Sequence, residues 1–358
     1  MSEGRITLHD VAKLAGVHAA TASRALNVKT RSLVKGDTVI RVLAAAEELD
    51  YRPNPVARGL KTRRTLSVGV VIPDLNNPLF PPIVRGIEDR LAKDGYVALL
   101  GNTDNDDERE RRIFEEMRGR HVDGLVVATA RRDHPVLVQT ARTGTPIVLV
   151  NRVVDDHTFS SLSADDGMGI RHVLAHLSGL GHRRIAHVAG PQTLSTGFGR
   201  YRGYLAGMEA AGLDVDDRLV AFAQSFSEEE GHRRALEVLG SNAGCTAIVA
   251  GNDLLALGCY SALEELGLTC PADISVVGFN DMPFVDRLHP PLTTVRIPHY
   301  AMGAQAAELV LERIFLSDVP LKSIFLPTEL IVRGSTAPPG GGLPLDAHDR
   351  VAPVGVGD

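Results

Sequence analysis

Beyond Thr65 the sequence alternates short apolar runs with longer amphipathic segments, and this alternation restricts the possible folds more than any other feature. Seven of the runs are short and rich in β-branched residues: Leu66–Ile72, Tyr96–Leu100, Gly124–Ala128, Pro146–Val150, Arg184–Ala189, Ala247–Ala250 and Ile274–Gly278. Strands separated by helices in this way are typical of doubly wound parallel sheets. The number of strands predicts an α/β fold with two such sheets, and therefore two lobes.

The chain is too long for one core, because 358 residues exceed an ordinary single domain. We predict a helical domain over 1–50, a hinge over 51–65, the two-lobed domain over 66–336 and a disordered tail over 337–358. The tail prediction rests on its Pro- and Gly-rich composition without apolar periodicity.

Charge is distributed unevenly along the chain. Residues 1–65 hold 12 Lys and Arg against 6 Asp and Glu. The whole chain has 38 Lys and Arg and 44 Asp and Glu, so the remainder holds 26 Lys and Arg against 38 Asp and Glu. A basic segment attached to an acidic body indicates a polyanionic partner for the basic segment alone.

The segment from Thr7 to Asn27 has the pattern of two helices joined by a tight turn. Apolar residues follow helical spacing on both sides of Gly16, a residue type suited to a left-handed turn. A third helix over 37–49 would complete a small core with Val39, Ile40, Val42, Leu43 and Leu49. This is the pattern of a helix-turn-helix.

The second of these helices is the predicted recognition helix, with Ala19, Ala20, Ser23 and Arg24 facing away from the core. Arg24 is the predicted base reader, because a guanidinium can bind two acceptors of one guanine. Ala19 and Ala20 offer methyl contacts, and Thr21 and Ser23 suit phosphates. The alternative is a structural three-helix bundle with an exposed arginine.

The segment that follows has the pattern of a short helix, which we expect to form only against a partner chain and DNA. Asn54 is a good N-cap and Pro55 a good first residue for a helix to about Lys61, which is too short to be stable alone. Leu60 is a candidate wedge between base steps of the minor groove. The alternative is a flexible linker.

These motifs resemble the LacI/GalR family of bacterial repressors: Thr-Leu-x-Asp-Val-Ala-x-x-Ala-Gly-Val, Thr-x-Ser-Arg-x-Leu-Asn and Tyr-x-Pro-Asn-x-x-Ala-x-x-Leu. The resemblance spans nearly the whole chain. It implies that Leu60 inserts at a central CpG of a palindromic operator and that Ala19, Ala20 and Arg24 contact bases. Asn27 and Asn54 are DNA-binding positions on the same basis. His18 departs from the family's usual Ser, and Ala22 and Ala25 replace branched aliphatics.

The ends of the predicted strands are rich in Asn, Asp and Arg, which suits a hydroxyl-rich ligand such as a sugar. The resemblance also implies a body like the periplasmic sugar-binding proteins. It assigns effector binding to seven residues: Leu79, Phe80, Asn151, Arg200, Phe226, Asn252 and Asn280. Asn280 stands where many members have Asp. Each of these residues could instead serve loop capping or turn formation.

An enzyme and a transport binding protein are the alternatives from other classes. Gly197, Gly199 and Gly203 are spaced one residue too far apart for a dinucleotide fingerprint, and His172 and His176 lack the adjacent Glu of a zinc protease. We therefore expect no catalytic residue, metal or cofactor. No apolar run reaches the roughly 18 to 20 residues that span a bilayer, and no signal peptide is recognisable, so we expect a cytoplasmic protein.

Together these features predict a regulator that binds a palindromic operator as a homodimer and responds to a small effector. The alternative retained is a sugar-binding protein without DNA regulation.

Overall fold

The computed structural model describes residues 6–27, 30–52, 64–316 and 318–340. The chain divides between Leu66 and Ser67 into two units.

The smaller unit contains three helices: α1 (Leu8–Leu14), α2 (Ala19–Leu26) and α3 (Gly36–Glu48), with a 3-10 turn at Arg31–Leu33. The N–H and hydroxyl of Thr7 both donate to the Asp10 carboxylate, at 2.9 and 2.7 Å, and fix the start of α1. Gly16 has a φ of +66°, and His18 Nδ1 accepts from the Ala20 N–H at 3.2 Å at the start of α2. The predicted helix-turn-helix geometry is therefore present.

The core of this unit differs in part from the expectation. It consists of small side chains and two valines: Val11, Ala12, Ala15, Ala22, Ala25, Val42, Ala45 and Ala46. The prediction that Ile40 and Leu43 are core residues is wrong, since they are 67% and 37% exposed. At 3.6 residues per turn, the buried positions 42, 45 and 46 share a face, whereas position 40 lies on the opposite one.

The larger unit contains two six-stranded sheets. The first has the order β11-β5-β4-β3-β1-β2 and the second β12-β10-β9-β8-β6-β7. The strands are β1 (Ser67–Ile72), β2 (Val97–Asn102), β3 (Gly124–Val127), β4 (Ile147–Val150), β5 (Ser160–Ala164), β6 (Ile185–Ala189), β7 (Val220–Phe222), β8 (Ala247–Ala250), β9 (Ser275–Asn280), β10 (Thr293–Arg296), β11 (Ser323–Leu326) and β12 (Glu329–Ile331). All described pairings are parallel except β10 with β12. The predicted fold class, two parallel sheets in an α/β body, is confirmed.

Helices connect these strands: α4 (Phe80–Lys93), α5 (Asp107–Gly119), α6 (Pro135–Ala141), α7 (Asp166–Gly179), α8 (Ser195–Ala210), α9 (Glu228–Gly240), α10 (Asp253–Glu265) and α11 (His299–Phe315). Lobe 1 is built on the first sheet with α4, α5, α6 and α11, and lobe 2 on the second sheet with α7 to α10. The chain passes between the lobes after β5, after β10 and after β11.

Five strands were not predicted, and their composition explains why. The strand β5 reads Ser-Ser-Leu-Ser-Ala and β10 reads Thr-Thr-Val-Arg, so neither is an apolar run, although β5 is buried throughout. Their hydroxyls are paired within the fold: Ser160 Oγ accepts from the Lys322 N–H at 3.2 Å. The strands β7, β11 and β12 are three or four residues long.

Two glycines let α4 and α11 cross closely in lobe 1. A Cβ placed on Gly303 would lie 1.9 Å from the Ile83 carbonyl oxygen, and one on Gly86 would lie 2.1 Å from that of Tyr300. The backbones are therefore in direct contact, which only glycine permits.

Within the described residues, no helix is both long and apolar enough to cross a membrane.

Candidate functional site

The exposed face of α2 carries the predicted DNA-reading residues. Ala20 and Arg24 are exposed, while Thr21, Ser23 and Asn27 are partly buried. Among the described residues Arg24 forms no ion pair, so its guanidinium is not neutralised by a carboxylate there. Ala19 departs from the expectation, because it also packs against the core at the start of α2.

The end of α2 is held by side chains that follow it. The Thr30 hydroxyl donates to the Arg24 carbonyl at 3.1 Å, and Arg31 Nε donates to the Ala25 carbonyl at 2.9 Å. These bonds satisfy carbonyls that a helix end leaves without partners. The predicted DNA-binding residues Asn54 and Leu60 lie outside the described residues.

A cavity of about 280 Å³ lies between the two lobes of the larger unit. Its walls are the segments that follow parallel strands, where ligands bind in open α/β sheets. Lobe 1 contributes Pro73, Asp74, Asn77, Thr103, Asn105, Asp106, Asp107, Glu110, Thr129, Arg131 and Arg152, and lobe 2 contributes Pro191, Thr193, Leu194, Gln224, Ser225, Phe226 and Ser227. These residues together form the cleft.

Arg152 is the most unusual side chain of the cleft. It is only 7% exposed, and its Nε has no hydrogen-bond partner among the described residues. Burial, reinforced by the positive charges of Arg200 and Arg131 and opposed by Glu110, lowers the pKa of Arg152 to about 10. A buried donor without an acceptor is costly, so Arg152 is suited to a ligand oxygen in the cleft.

The second cleft arginine, Arg131, is held by carboxylates. Its guanidinium pairs with Asp107 and lies 3.6 Å from Glu110 Oε2. Glu110 also accepts from the Thr129 hydroxyl and lies 2.9 Å from His134 Nε2. Because His134 Nδ1 accepts from the Arg131 N–H at 3.2 Å, Nε2 carries the histidine proton and donates it to Glu110. This wall of the cleft is therefore preorganised.

Arg200, the predicted effector arginine, is buried and bonded within lobe 2. It is 2% exposed and does not line the cleft cavity. Its Nε donates to Asp166 Oδ1 at 2.8 Å, and its Nη1 donates to the Gly251 carbonyl at 2.7 Å. Its Nη2 donates to Asn280 Oδ1 at 3.3 Å, and the guanidinium stacks 3.8 Å from the centre of the Phe279 ring. In this arrangement Arg200 ties three elements of lobe 2 together.

The polar residues predicted beside it also have structural contacts. Asn280 is buried with a φ of +118°, and Asn252 Oδ1 accepts from the Leu255 N–H at 2.9 Å and caps α10. Asn151 is buried with a φ of +67° immediately before Arg152. Capping and turn geometry thus account for contacts of these three residues, and their effector role stays a prediction.

Among the described residues, Phe226 is the one predicted effector residue that lines the cleft. Leu79 and Phe80 are buried at the start of α4, next to the loop that supplies Asp74 and Asn77. Sequence reasoning identified the strand-end loops but missed Arg131 and Arg152 as cleft residues. The Asn-Arg pair after β4 was visible in the sequence, but which of the two side chains enters the cleft was not.

Asp253, the first residue of α10, was also missed. Its carboxyl is fully buried, accepts from the Thr294 hydroxyl at 2.5 Å and the Met282 N–H at 2.8 Å, and so holds the turn after Asn280. Burial raises the pKa of Asp253 to about 7. No cluster of three or more His, Cys, Asp or Glu able to hold a metal occurs in the described part of the chain, and His176 Nε2 lies 3.0 Å from the Thr336 hydroxyl.

Comparison with known proteins agrees with this architecture. Residues 7–54 match the family described as bacterial regulatory proteins, lacI family, and residues 174–336 match the periplasmic binding protein-like domain. The ribose operon repressor of Bacillus subtilis (strain 168) is 33% identical over 330 residues, 92% of this chain and 98% of that protein.

Two solved structures are similar over both units. The lac repressor dimer bound to operator and the anti-inducer ONPF has a TM-score of 0.82 at 28% identity, covering 93% of this chain and 99% of that one. The complex of the transcriptional regulator CelR with cellobiose has a TM-score of 0.72 at 32% identity, covering 92% and 100%. The chain therefore belongs to the lacI family of bacterial regulatory proteins and is a DNA-binding transcriptional repressor rather than an enzyme.

Proposed function

We propose that this repressor binds a palindromic operator as a homodimer in the cytoplasm, and that a sugar bound in the cleft changes its affinity for that operator. Each protomer of the dimer places one α2 in a major groove, and two-fold symmetry of the protein then requires a palindromic site. The units proposed for these tasks are residues 1–50 for reading DNA, 51–65 for the hinge and 66–336 for effector binding and dimerisation, with 337–358 as a tail.

The proposed DNA contacts lie on α2 and in the hinge. Arg24 reads a guanine, Ala19 and Ala20 contact base edges, and the remaining polar residues contact the backbone: Thr21, Ser23, Asn27 and Asn54. Leu60 enters a central CpG step and bends the duplex. The exposure of Arg24 on the presented face of α2 supports its role as reader.

The observation that carries the effector proposal is Arg152 in the cleft, with a buried Nε that has no partner in the described residues. Carboxylates outnumber arginines in the lining, with Asp74, Asp106, Asp107 and Glu110 against Arg131 and Arg152. An uncharged ligand with many hydroxyls suits this mixture, because a hydroxyl accepts from arginine and donates to carboxylate. Phe226 supplies an apolar face for a sugar ring.

The remaining predicted effector residues are proposed to act from lobe 2 and from the wall of lobe 1. Arg200 and Asn280 bond to each other in lobe 2, Asn252 caps α10, and Asn151 forms the turn that precedes Arg152 in lobe 1. Leu79 and Phe80 support the loop that carries Asp74 and Asn77. An effector alters DNA affinity only through different affinities for two lobe arrangements.

The test begins with DNA. The purified full-length protein is incubated with a random duplex library at moderate salt, and the retained duplexes are sequenced. Enrichment of a palindrome with a central CpG supports the dimer, the operator and the hinge wedge, whereas enrichment of a single asymmetric half-site would contradict dimeric reading.

The effector is then sought by release of the enriched duplex. Ribose and cellobiose are the first two probes, because a similar protein is named a ribose operon repressor and a similar structure contains cellobiose. Release or tightening by one sugar, lost in Arg152→Ala, supports the cleft. A sugar response that is unchanged in Arg152→Ala would place the effector elsewhere.

A further inference from the structure

The two lobes are joined at the cleft by a contact that is separate from the three chain crossings. Arg132 of lobe 1 stacks its guanidinium 3.6 Å from the centre of the Phe198 ring on α8 of lobe 2. The same side chain donates from Nη1 to the Gln192 carbonyl at 3.3 Å, and its backbone N–H donates to the Thr193 carbonyl at 2.9 Å.

Arg132 is oriented for this contact by a carboxylate of its own lobe. Its Nε lies 3.1 Å from Asp155 Oδ1 and its Nη2 lies 2.8 Å from Asp155 Oδ2, a fork that fixes the plane of the guanidinium. The Asp155 N–H donates to the Arg132 carbonyl at 3.0 Å. The ring face of Phe198 therefore meets a guanidinium that is already held in place, which lowers the entropy lost in forming the contact.

A second bond between the lobes lies beside the first. The Val153 N–H of lobe 1 donates to the Ser195 hydroxyl of lobe 2 at 2.9 Å. The contact residues Arg132, Val153, Ser195 and Phe198 do not line the cleft, but three of them follow a lining residue directly.

We propose that Arg132 and Phe198, with Val153 and Ser195, form an interlobe latch that stabilises the closed arrangement of the lobes and thereby sets how tightly the cleft retains its ligand. Arg131 and Arg152 line the cleft, and each is one peptide unit from a latch residue of its own lobe. A ligand that shifts either arginine moves the latch with it. The affinity part of this inference rests on the proposed effector function, whereas the latch itself does not.

The physical consequence is a population effect. A ligand that requires closed lobes binds with an affinity reduced by the fraction of molecules that are closed. Weakening the latch lowers that fraction without removing any group from the cleft. Affinity falls in proportion to the closed fraction, so the loss is small while closed molecules are the majority and grows as open molecules predominate.

Hydrogen exchange measures the opening without any ligand. The amide of Val153 is protected by a bond across the lobes, so its exchange rate in the full-length protein reports separation directly. We expect about tenfold faster exchange in Arg132→Ala and in Phe198→Leu, which keeps an apolar side chain but loses the ring. Arg142→Ala and Phe284→Ala, at exposed sites in lobe 1 and lobe 2, are the matched controls and should exchange as the parent protein does.

Unchanged Val153 protection in both latch variants would overturn the proposal. So would faster exchange in Arg132→Ala that extends equally to the strand β3, because the contact would then serve overall stability. The affinity part is tested by titrating ribose and cellobiose calorimetrically: a sugar that binds the parent should bind each latch variant more weakly, by the ratio of the closed fractions that the Val153 exchange rates give. An affinity that departs from this ratio of closed fractions would refute that part alone. Failure of both sugars to bind the parent would count against the proposed effectors, while the exchange result still decides the latch.

Discussion

Arg200 Nη2 and Asn280 Oδ1 are 3.3 Å apart, and this bond links α8 to the carboxyl end of β9. Asn280 holds a φ of +118°, a conformation that a non-glycine residue rarely adopts and that its surroundings must maintain. Asp253 fixes the following turn through the Met282 N–H. The segments that follow β8 and β9 in lobe 2 are thus held by a buried polar network.

Arg200→Ala should destabilise the larger unit as well as disturb the cleft. The substitution leaves Asp166, the Gly251 carbonyl and Asn280 without a donor, and breaking such a buried set costs about 3 kcal/mol. The expected result is a melting temperature about 5 to 10 °C lower by differential scanning calorimetry. Arg142→Ala is the control, and a melting temperature within a degree of that control would contradict the structural role of Arg200.

Arg152 should behave in the opposite way. In Arg152→Met an apolar side chain of similar length replaces a buried guanidinium whose Nε has no partner in the described residues, so stability should stay the same or increase. Binding of whichever sugar the parent protein accepts should weaken about 10- to 100-fold, since a hydrogen bond to a charged donor is lost. Calorimetric titration and a melting curve of the same sample separate the two effects. A large fall in melting temperature would show that Arg152 is structural instead.

Asp253 should make stability fall as pH rises. Its pKa in the folded protein is about 7, above the ordinary 3.8, so the unfolded chain releases this proton first. The unfavourable contribution therefore grows from about pH 4 to pH 7. Asp253→Asn keeps an acceptor for the Met282 N–H and gains an amide that can donate to the Thr294 hydroxyl. Its melting temperature should be higher than that of the parent at pH 8, and the difference in melting temperature should shrink towards pH 4.

The comparison at each pH must be parent against variant. Burial lowers the pKa of His187 and His299 to about 4, and these groups give an opposite slope, with stability lost as pH falls below about 6.5. Both histidines are present in the parent and in Asp253→Asn, so their contributions cancel in the difference. A constant difference from pH 4 to pH 8 would refute the raised pKa of Asp253.

Gly303→Ala should strongly lower the free energy of unfolding of the larger unit. Its Cβ would lie 1.9 Å from the Ile83 carbonyl oxygen, so α4 and α11 must separate, at a cost of about 3 kcal/mol. Gly119→Ala adds the same methyl at the end of α5 with no atom within 4 Å and should leave the melting temperature nearly unchanged. Equal melting temperatures for the two variants would contradict the close helix crossing.

Arg24→Ala should lose operator preference but keep salt-dependent binding to any duplex. A bidentate contact to guanine contributes about 1 to 3 kcal/mol of discrimination, whereas phosphate contacts do not depend on sequence. Competition between the enriched operator and a scrambled duplex, at two salt concentrations, measures both terms. Arg24→Lys is the control for charge, and a preserved preference in Arg24→Ala would exclude Arg24 as the reader.

Local sequence determined the elements and the fold class. The spacing of Val11, Ala12 and Ala15 before Gly16 and of Ala22 and Ala25 after it predicts two helices and a turn, because helical period and a left-handed residue are properties of a few neighbouring positions. The β-branched runs gave seven of the twelve strands for the same reason. Hydroxyl-rich β5 was missed because its burial depends on partners distant in sequence, such as Lys322.

Tertiary structure alone decided which side chains form the cleft and the latch. Asn151 and Arg152 are adjacent, yet the first is buried with a positive φ and does not line the cleft, whereas the second lines it. Arg131 and Arg132 are likewise adjacent, but one lines the cleft and the other reaches Phe198. The direction of a side chain at a strand end depends on backbone conformation and on the facing lobe, and neither is encoded by the residues next to it.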